Sequence, residues 1–455
     1  MGLLRAARAK VLASFVGTVL SAAIAPASTR PARADEPEKR PVPDYDGRGP
    51  EKRRGEGLLW VPRILASPLY LTSEYVLRRP LAVLVKTAEE DHWVQGLTNF
   101  FTFDKAHKIG LLPTFFYEFA FRPSVGAYFF WDDAFFPKNA FRVHVSTGGS
   151  GWYAASVTDR VTLADGISSL AIRGGWSRRS DYVFYGIGPS THEYARSRYS
   201  ADLADVSLKY IADLWRASSL NAYVGVRDMR FDANGSCCHD PSLAERAAAG
   251  DLPVPPPGFD VGYTAVYQHL DAAVDTRKPA PVPGSGFRFE VSGEHAVDPK
   301  ARSSWAKYGA TAGAFLDVTG KQRVLSFSLT MLFADPIRGD IPFTEQVVLG
   351  GAGPMAGFRP GRLIDRSAAI ATLQYQWPIW VFIDGYAQLA MGNVFGAHLD
   401  GLAAKLMRVT TNIGIRTSGS RDQSFEILFG LGSETLDEGL RFTSKRFLIG
   451  ATRGF

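Results

Sequence analysis

The sequence predicts an all-β chain, a transmembrane antiparallel β-barrel of about sixteen strands behind a short helical or irregular amino-terminal segment. Three observations predict it. The chain opens on an export leader, its body alternates apolar and polar residues with period two, and its long connections all fall on one side of the strand count.

The leader is residues 1–34. Arg5, Arg8 and Lys10 form a basic start, Val11 to Ile24 an apolar core too short to span a bilayer, and Ala32-Arg33-Ala34 a small-residue cleavage site. It carries five basic residues and no acid. Without it, the 51 basic side chains fall to 46 against 45 acidic ones, so nucleic-acid binding loses its electrostatic basis. The whole chain is 46% hydrophobic and 12% aromatic, with 45 glycines and only two cysteines, Cys237 and Cys238. That count excludes a disulfide-built scaffold, and no apolar run after the leader reaches the length of a helical span.

Residues 35–57 are charged and rich in Pro and Gly, a linker on the periplasmic side. Residues 58–107 are apolar but broken by Pro62, Pro68 and Pro80; Pro80 can open a helix through Glu90. This segment reads equally as a plug for the lumen and as a packed lead-in. The barrel follows as residues 108–455.

Its strands are read from alternation. Leu325, Phe327, Leu329, Met331 and Phe333 alternate with Ser326, Ser328 and Thr330; Val409, Thr411, Ile413 and Ile415 alternate with Thr410, Asn412, Gly414 and Arg416. Phe425, Ile427, Phe429 and Leu431 do so with Ser424, Glu426, Gly430 and Gly432, and 306–318 repeats the pattern. The second face carries Lys307, Asp317, Arg416 and Glu426 among small residues, as a wet lumen requires. Strand starts fall near Pro113, Ser124, Ala140, Gly151, Gly166, Tyr199, Ala217 and Phe259. The rest begin near Gly284, Ser303, Gln322, Ser367, Trp380, Leu406, Gln423 and Phe442. Long loops at 178–198, 232–258 and 335–366 follow the fifth, seventh and eleventh strands, whereas turns at 319–321, Pro378-Ile379 and 419–421 are short. The long side is extracellular. The last strand ends on the aromatic Phe455, a C-terminal assembly signal, although Arg453 stands where an apolar residue is usual.

The loop "LGGAGPMAGFRPGRLIDR", Leu349 to Arg366, is far longer and stiffer than a hairpin needs. With "ATLQYQWPI", "QLAMGNVF" (Gln388–Phe395) and "FYGIGPST" (Phe184–Thr191), it resembles the BamA/TamA-like outer-membrane assembly factors, the bacterial surface antigen family. The resemblance covers about Pro113 to Phe455. It implies that the loop folds back into the lumen, with Gly350 and Gly351 before a tip of Met355, Ala356, Gly357, Phe358, Arg359 and Arg362. It also implies a partner region on the thirteenth barrel strand: Asp384, Gln388, Ala390 and Gly392. The family pairs a tip arginine with an aspartate on that strand. Here Ala356 and Ala390 occupy both positions, so the ion pair is absent as a unit, which is close to neutral where losing one half is costly. Arg359, Arg362 and Asp384 are candidates for a shifted pair.

The family's client-receiving POTRA domains do not fit into residues 35–107. Two functions therefore stand. One is a barrel that inserts or translocates a protein partner, through a lateral seam between first and last strands. The other is a POTRA-less passive solute channel or structural anchor. The expected partners are outer-membrane lipid, the barrel assembly machinery and a protein client, with no nucleic acid and no cofactor, for a monomer in the bacterial outer membrane. Catalytic motifs do not assemble: Ser236, His239 and Asp240 share one loop without triad spacing, and no Gly-x-Ser-x-Gly or His-Glu-x-x-His run occurs. Neither an enzyme nor a metal site is expected; Cys237-Cys238 reads as a vicinal disulfide.

Overall fold

The computed structural model describes residue 75 and residues 99–455, except 252–254, 279–283, 319, 381–382, 418–423 and 454–455. The leader, the linker, nearly all of the lead-in, the turn at 419–421 and Phe455 lie outside the described residues.

Eighteen strands follow in chain order. They are β1 (Ile109–Glu118), β2 (Ser124–Asp132), β3 (Asn139–Thr147), β4 (Tyr153–Thr162), β5 (Ser168–Phe184) and β6 (Ser197–Asp213). Next come β7 (Ser219–Asp232), β8 (Tyr263–Asp275), β9 (Gly286–Asp298), β10 (Ser303–Asp317), β11 (Val324–Arg338), and the short β12 (Val347–Leu349) and β13 (Leu363–Asp365). The chain ends through β14 (Ser367–Trp380), β15 (Ile383–Phe395), β16 (Arg408–Thr417), β17 (Ser424–Ser433) and β18 (Phe442–Arg453). All but β12 and β13 close one antiparallel barrel of sixteen strands, each beside its chain neighbours, with β1 meeting β18. Among the described residues no helix is long and apolar enough to cross a membrane.

Alternation decides the faces. Leu325, Phe327, Leu329 and Met331 of β11 are exposed outward, while Ser326, Ser328 and Thr330 line the interior. Lipid demands the apolar face and tolerates no open edge, so every strand is paired in a ring. The long connections, 185–196, 233–262 and 339–366, lie together on one end, as the sequence predicts.

Several boundaries differ from the sequence reading, two of them by a whole segment. Strand β5 runs on through Arg178 to Phe184, because its charges are neutralised in place. Arg178 binds Asp202 at 2.6 Å and Arg179 binds Asp181 at 3.0 Å. Pro378-Ile379, expected as a turn, sits inside β14, where the register against β15 shifts between Pro378 and Trp380. Proline lacks the ladder donor, so the strand accommodates it at an irregularity.

The closure is the weakest joint. Strands β1 and β18 share three register pairs, Phe116↔Gly450, Tyr117↔Ile449 and Glu118↔Leu448, where β1 and β2 share eight. Ile109 to Phe115 of β1 have no partner on β18 among the described residues, and that stretch contains Pro113. The joint depends on close approach. Gly450 has φ of 142°, and a Cβ there would press on the Phe115 carbonyl and lie 2.7 Å from Phe116 Cα.

Gly450→Val is therefore expected to lower the thermal stability of the folded barrel, costing about 1–3 kcal/mol of backbone strain alone. Gly174→Ala, whose added methyl meets nothing within 4 Å, is the control. Heat-modifiable gel mobility reads both; equal melting of the two variants would refute this account of the joint.

Candidate functional site: the inward loop and its latch

The connection from β11 to β14 is too apolar to stand in water. Ile341, Phe343, Val347, Leu349, Met355, Phe358 and Leu363 are all buried. Its first limb is nailed to the β5–β8 wall in two ways. The Phe343 ring is surrounded by Phe184, Tyr199, Phe231 and Phe259, with centroids 5.2–6.1 Å away. Beside it the buried Glu345 carboxylate receives Arg227 at 2.8 Å, Lys307 at 2.7 Å and the Tyr263 hydroxyl at 2.6 Å. Each donor comes from the inner face of a different strand, so the loop can sit at only one height.

The tip then crosses to the opposite wall. Gly350 takes a positive φ of 101°, and a side chain there would collide with the Arg359 carbonyl. Gly357 lies flat on the wall. A Cβ on it would strike the Leu431 carbonyl and stand 2.9 Å from Thr410 Cβ. The receiving surface is cut to match. Gly430 faces the Gly357 backbone and Gly432 faces the Phe358 ring, so these inward glycines of β17 are the tip's seat.

One guanidinium locks it. Arg446 of β18, almost fully buried, donates from Nη1 to the carbonyls of Gly351 and Ala356, both at 2.8 Å. Its Nε donates to Glu118 of β1 at 2.7 Å. The residue holding the loop tip thus also bridges the barrel closure.

The two arginines after the tip enter a buried knot on the long-loop end. Arg359 binds Glu193 at 2.6 Å; Arg362 reaches Glu193 at 3.2 Å and Glu434 at 3.3 Å. Arg408 of β16 binds Glu434 at 2.7 Å. The loop after β5 meets further donors, while the buried Nε atoms of Arg359, Arg362 and Arg408 make no hydrogen bond among the described residues. Arg362 donates to the Thr191 hydroxyl and carbonyl at 2.9 Å, and Arg408 to the Pro189 and Thr191 carbonyls at 3.0 and 2.6 Å. Burial alone would raise the Glu434 carboxyl. The Thr443 hydroxyl at 2.6 Å, with Arg408 and Arg362, holds it below the ordinary value instead.

The shifted pair expected from sequence is therefore different. Arg359 and Arg362 use Glu193 and Glu434, not Asp384. Asp384 stands toward the short-turn end of β15, opposite Arg416, and accepts from Gln376 Nε2 at 2.8 Å. The reason is reach: the arginines lie at the long-loop end, where the tip returns to β13. Ala390 is fully buried opposite Thr410, the residue that touches Gly357, and Gly392 is opposite Arg408. Ala356 packs with Tyr386, Leu428 and Leu448, a cluster separate from the one that holds Ala390. Gln388 binds Gln374 and Asn412 and lines a cavity of about 380 Å³ below Pro354, walled by Ser326, Ser328, Thr330, Thr372 and Gln374.

Sequence reading missed Glu118, Glu193, Arg408, Glu434 and Arg446. The only signal near them was the "GIGPST" motif, whose carbonyls feed the knot. His192 Nδ1 lies 3.4 Å from Glu438 and 3.9 Å from Glu434, a grouping of metal-ligand types. Both Glu434 oxygens already serve Arg408 and Thr443. Cys237 and Cys238 form a disulfide, and the adjacent Asp240 binds Arg196 and Arg198, each at 2.6 Å.

Glu434→Ala would leave Arg362 and Arg408 buried without their shared carboxylate, at an expected cost of about 3–5 kcal/mol. Acid should act the same way. Because the folded-state value is depressed, the stabilisation is present above the ordinary glutamate value near 4.5 and is lost as pH falls below it through the folded value. Melting of the folded band between pH 7 and pH 3 tests this: the acid-induced loss should shrink in Glu434→Gln, and an unchanged profile would remove Glu434 from the account.

Residues 264–399 match the Omp85 superfamily domain. Among solved structures, BamA from Haemophilus ducreyi lacking POTRA domains 1–3 aligns with a TM-score of 0.52 at 11% identity, over 76% of this chain and 70% of that one. CdiB from Acinetobacter baumannii aligns with a TM-score of 0.45 at 11% identity, over 76% and 60% of the two chains. CdiB from Escherichia coli aligns with 0.46 at 11% identity, over 75% and 62%. No curated protein matches the chain. The BamA likeness is one of fold, and the sequence match runs from β8 to the turn after β15. The match to the Omp85 superfamily domain spans the whole of the inward loop.

Proposed function

We propose that this chain works in the bacterial outer membrane as an Omp85-type barrel that admits or inserts a protein partner at the joint between β1 and β18. The observation that carries the reading is Arg446. A joint of three register pairs is reinforced by a buried ion pair, and the same arginine grips the loop tip. An incoming strand that pairs with Leu111–Phe115, the part of the β1 edge beyond the Thr102–Gly110 bridge that has no β18 partner among the described residues, would compete with β18 for an edge that needs a partner. The tip, seated on β16 and β17, is the element that stiffens the wall on the β18 side. A monomer suffices for this arrangement, with lipid outside and the amino-terminal segment on the periplasmic, short-turn end.

The second reading is a passive channel, and the cavity beneath Pro354 favours it, because Ser326, Ser328, Thr330, Gln374 and Gln388 set hydrogen-bonding groups among its apolar lining.

Bilayer recordings and reconstitution separate the two. The intact protein should conduct poorly, since the seated tip and Arg446 occupy the lumen. Deleting Pro354 to Pro360 should open large, steady channels, because sixteen strands enclose a wet pore. The insertion reading further predicts that liposomes carrying the intact protein accelerate folding of a second barrel, and that Arg446→Ala changes this rate. High conductance of the intact protein with no such acceleration would assign the chain to the passive class.

A further inference from the structure

The lumen wall from β3 to β6 carries positive charge in a regular pattern. Inward positions alternate along each strand, and the register aligns them in rungs. One rung reads Arg142, Thr158, Arg173, Ser207; the next, toward the short-turn end, reads Ala140, Arg160, Ala171, Lys209. Four cations thus occupy a checkerboard with small residues between them. Like charges so placed repel, and a wall has no structural need for them.

The acids nearby are committed. Asp132 binds Arg142 at 2.6 Å. Asp205 lies one rung above Ser207, opposite Gly175, and accepts from the Tyr267 hydroxyl at 2.9 Å, with Arg227 at 3.6 Å. Lys209 rests 5.1 Å over the Tyr223 ring. Arg173 has no hydrogen bond or ion pair among the described residues. Of its two register neighbours, Thr158 buries a hydroxyl oxygen that makes no hydrogen bond, and Ser207, only 2% exposed, turns its hydroxyl toward the Tyr267 side chain. Buried hydroxyls are rarely left unpaired without a cause. Above Arg173, Gly175 leaves room: a Cβ there would meet nothing closer than 3.9 Å.

We propose that Arg173, Thr158 and Ser207, backed by Lys209, form a binding site for a small oxyanion on the lumen wall. A guanidinium presents paired N–H donors that match two oxygens of a phosphate or carboxylate. The flanking hydroxyls donate to the remaining oxygens, which completes the hydrogen bonding of Thr158. The neighbouring cations lower the cost of bringing the anion from bulk water. The site is independent of what happens at the β1–β18 joint.

Inorganic phosphate is the probe, titrated calorimetrically into the detergent-solubilised full chain at low ionic strength. Saturable binding is expected, weakened about tenfold or more in Arg173→Gln, since one charge-assisted pair is lost. Thr158→Val should weaken it less, and Arg178→Gln, on the outward face of the same strand, should leave it unchanged. Heat-modifiable mobility confirms folding, and Thr158→Val with Lys209→Gln carries the test if Arg173→Gln does not fold. Absence of saturable binding by the folded chain, or an equal loss in Arg178→Gln, overturns the site.

Discussion

The buried guanidinium of Arg446 is the contact on which the rest of the barrel depends. Three register pairs close the ring, and a backbone hydrogen bond contributes only about 0.5–1.5 kcal/mol net. A buried ion pair adds little over an apolar contact, but separating its halves is expensive. The Arg446–Glu118 pair therefore acts less as glue than as a condition: the joint is either made with both charges satisfied or broken with both stranded. Because the same guanidinium satisfies the Gly351 and Ala356 carbonyls, the condition extends to the loop. Tip and joint share one binding free energy, and whatever weakens one weakens the other.

The knot around Glu434 explains why the loop after β5 has its composition. Four guanidinium groups meet at Glu193 and Glu434: Arg359, Arg362 and Arg408, and Arg196, which Glu193 shares with Asp240. The excess charge needs dipoles, and the Pro189 and Thr191 carbonyls supply them at hydrogen-bond distance. A Gly-Pro-Ser-Thr run bends the chain so that the Pro189 and Thr191 carbonyls point inward. The motif is thus a solvating surface for arginine.

What was legible in the sequence follows from where the environment dictates residue type. Lipid fixes the outward face, so strands, faces and the side of the long loops could all be read from alternation. Strand ends could not, because charges such as Arg178 and Asp335 are neutralised by partners on neighbouring strands, Asp202 and Arg366. The interior was only half legible. Leu428 and Leu448 face inward yet are apolar, since the tip covers them with Ala356. The partners of the loop arginines were hidden by distance: Arg359 meets Glu193 from 166 positions away. The expected ion pair at Ala356 and Ala390 has no counterpart between those positions. The tip is instead held through its backbone, which leaves no trace in side-chain identity.

Strand length adds the last constraint. A membrane needs about ten residues per tilted strand. Strands β1 to β4 and β16 to β18 are 9–12 residues long, whereas β5 and β6 reach 17. The surplus rises on the long-loop end as a collar, and this collar supplies Phe184 and Tyr199 to clamp Phe343. The root of the loop is therefore held by a broad aromatic contact on the tall wall, which loses area gradually under strain. Its tip is held on the short wall by glycine contacts and one arginine, which fail at once when the geometry is lost. The loop is thus held by area at its root and by geometry at its tip, and the tip lies against the strands beside the joint.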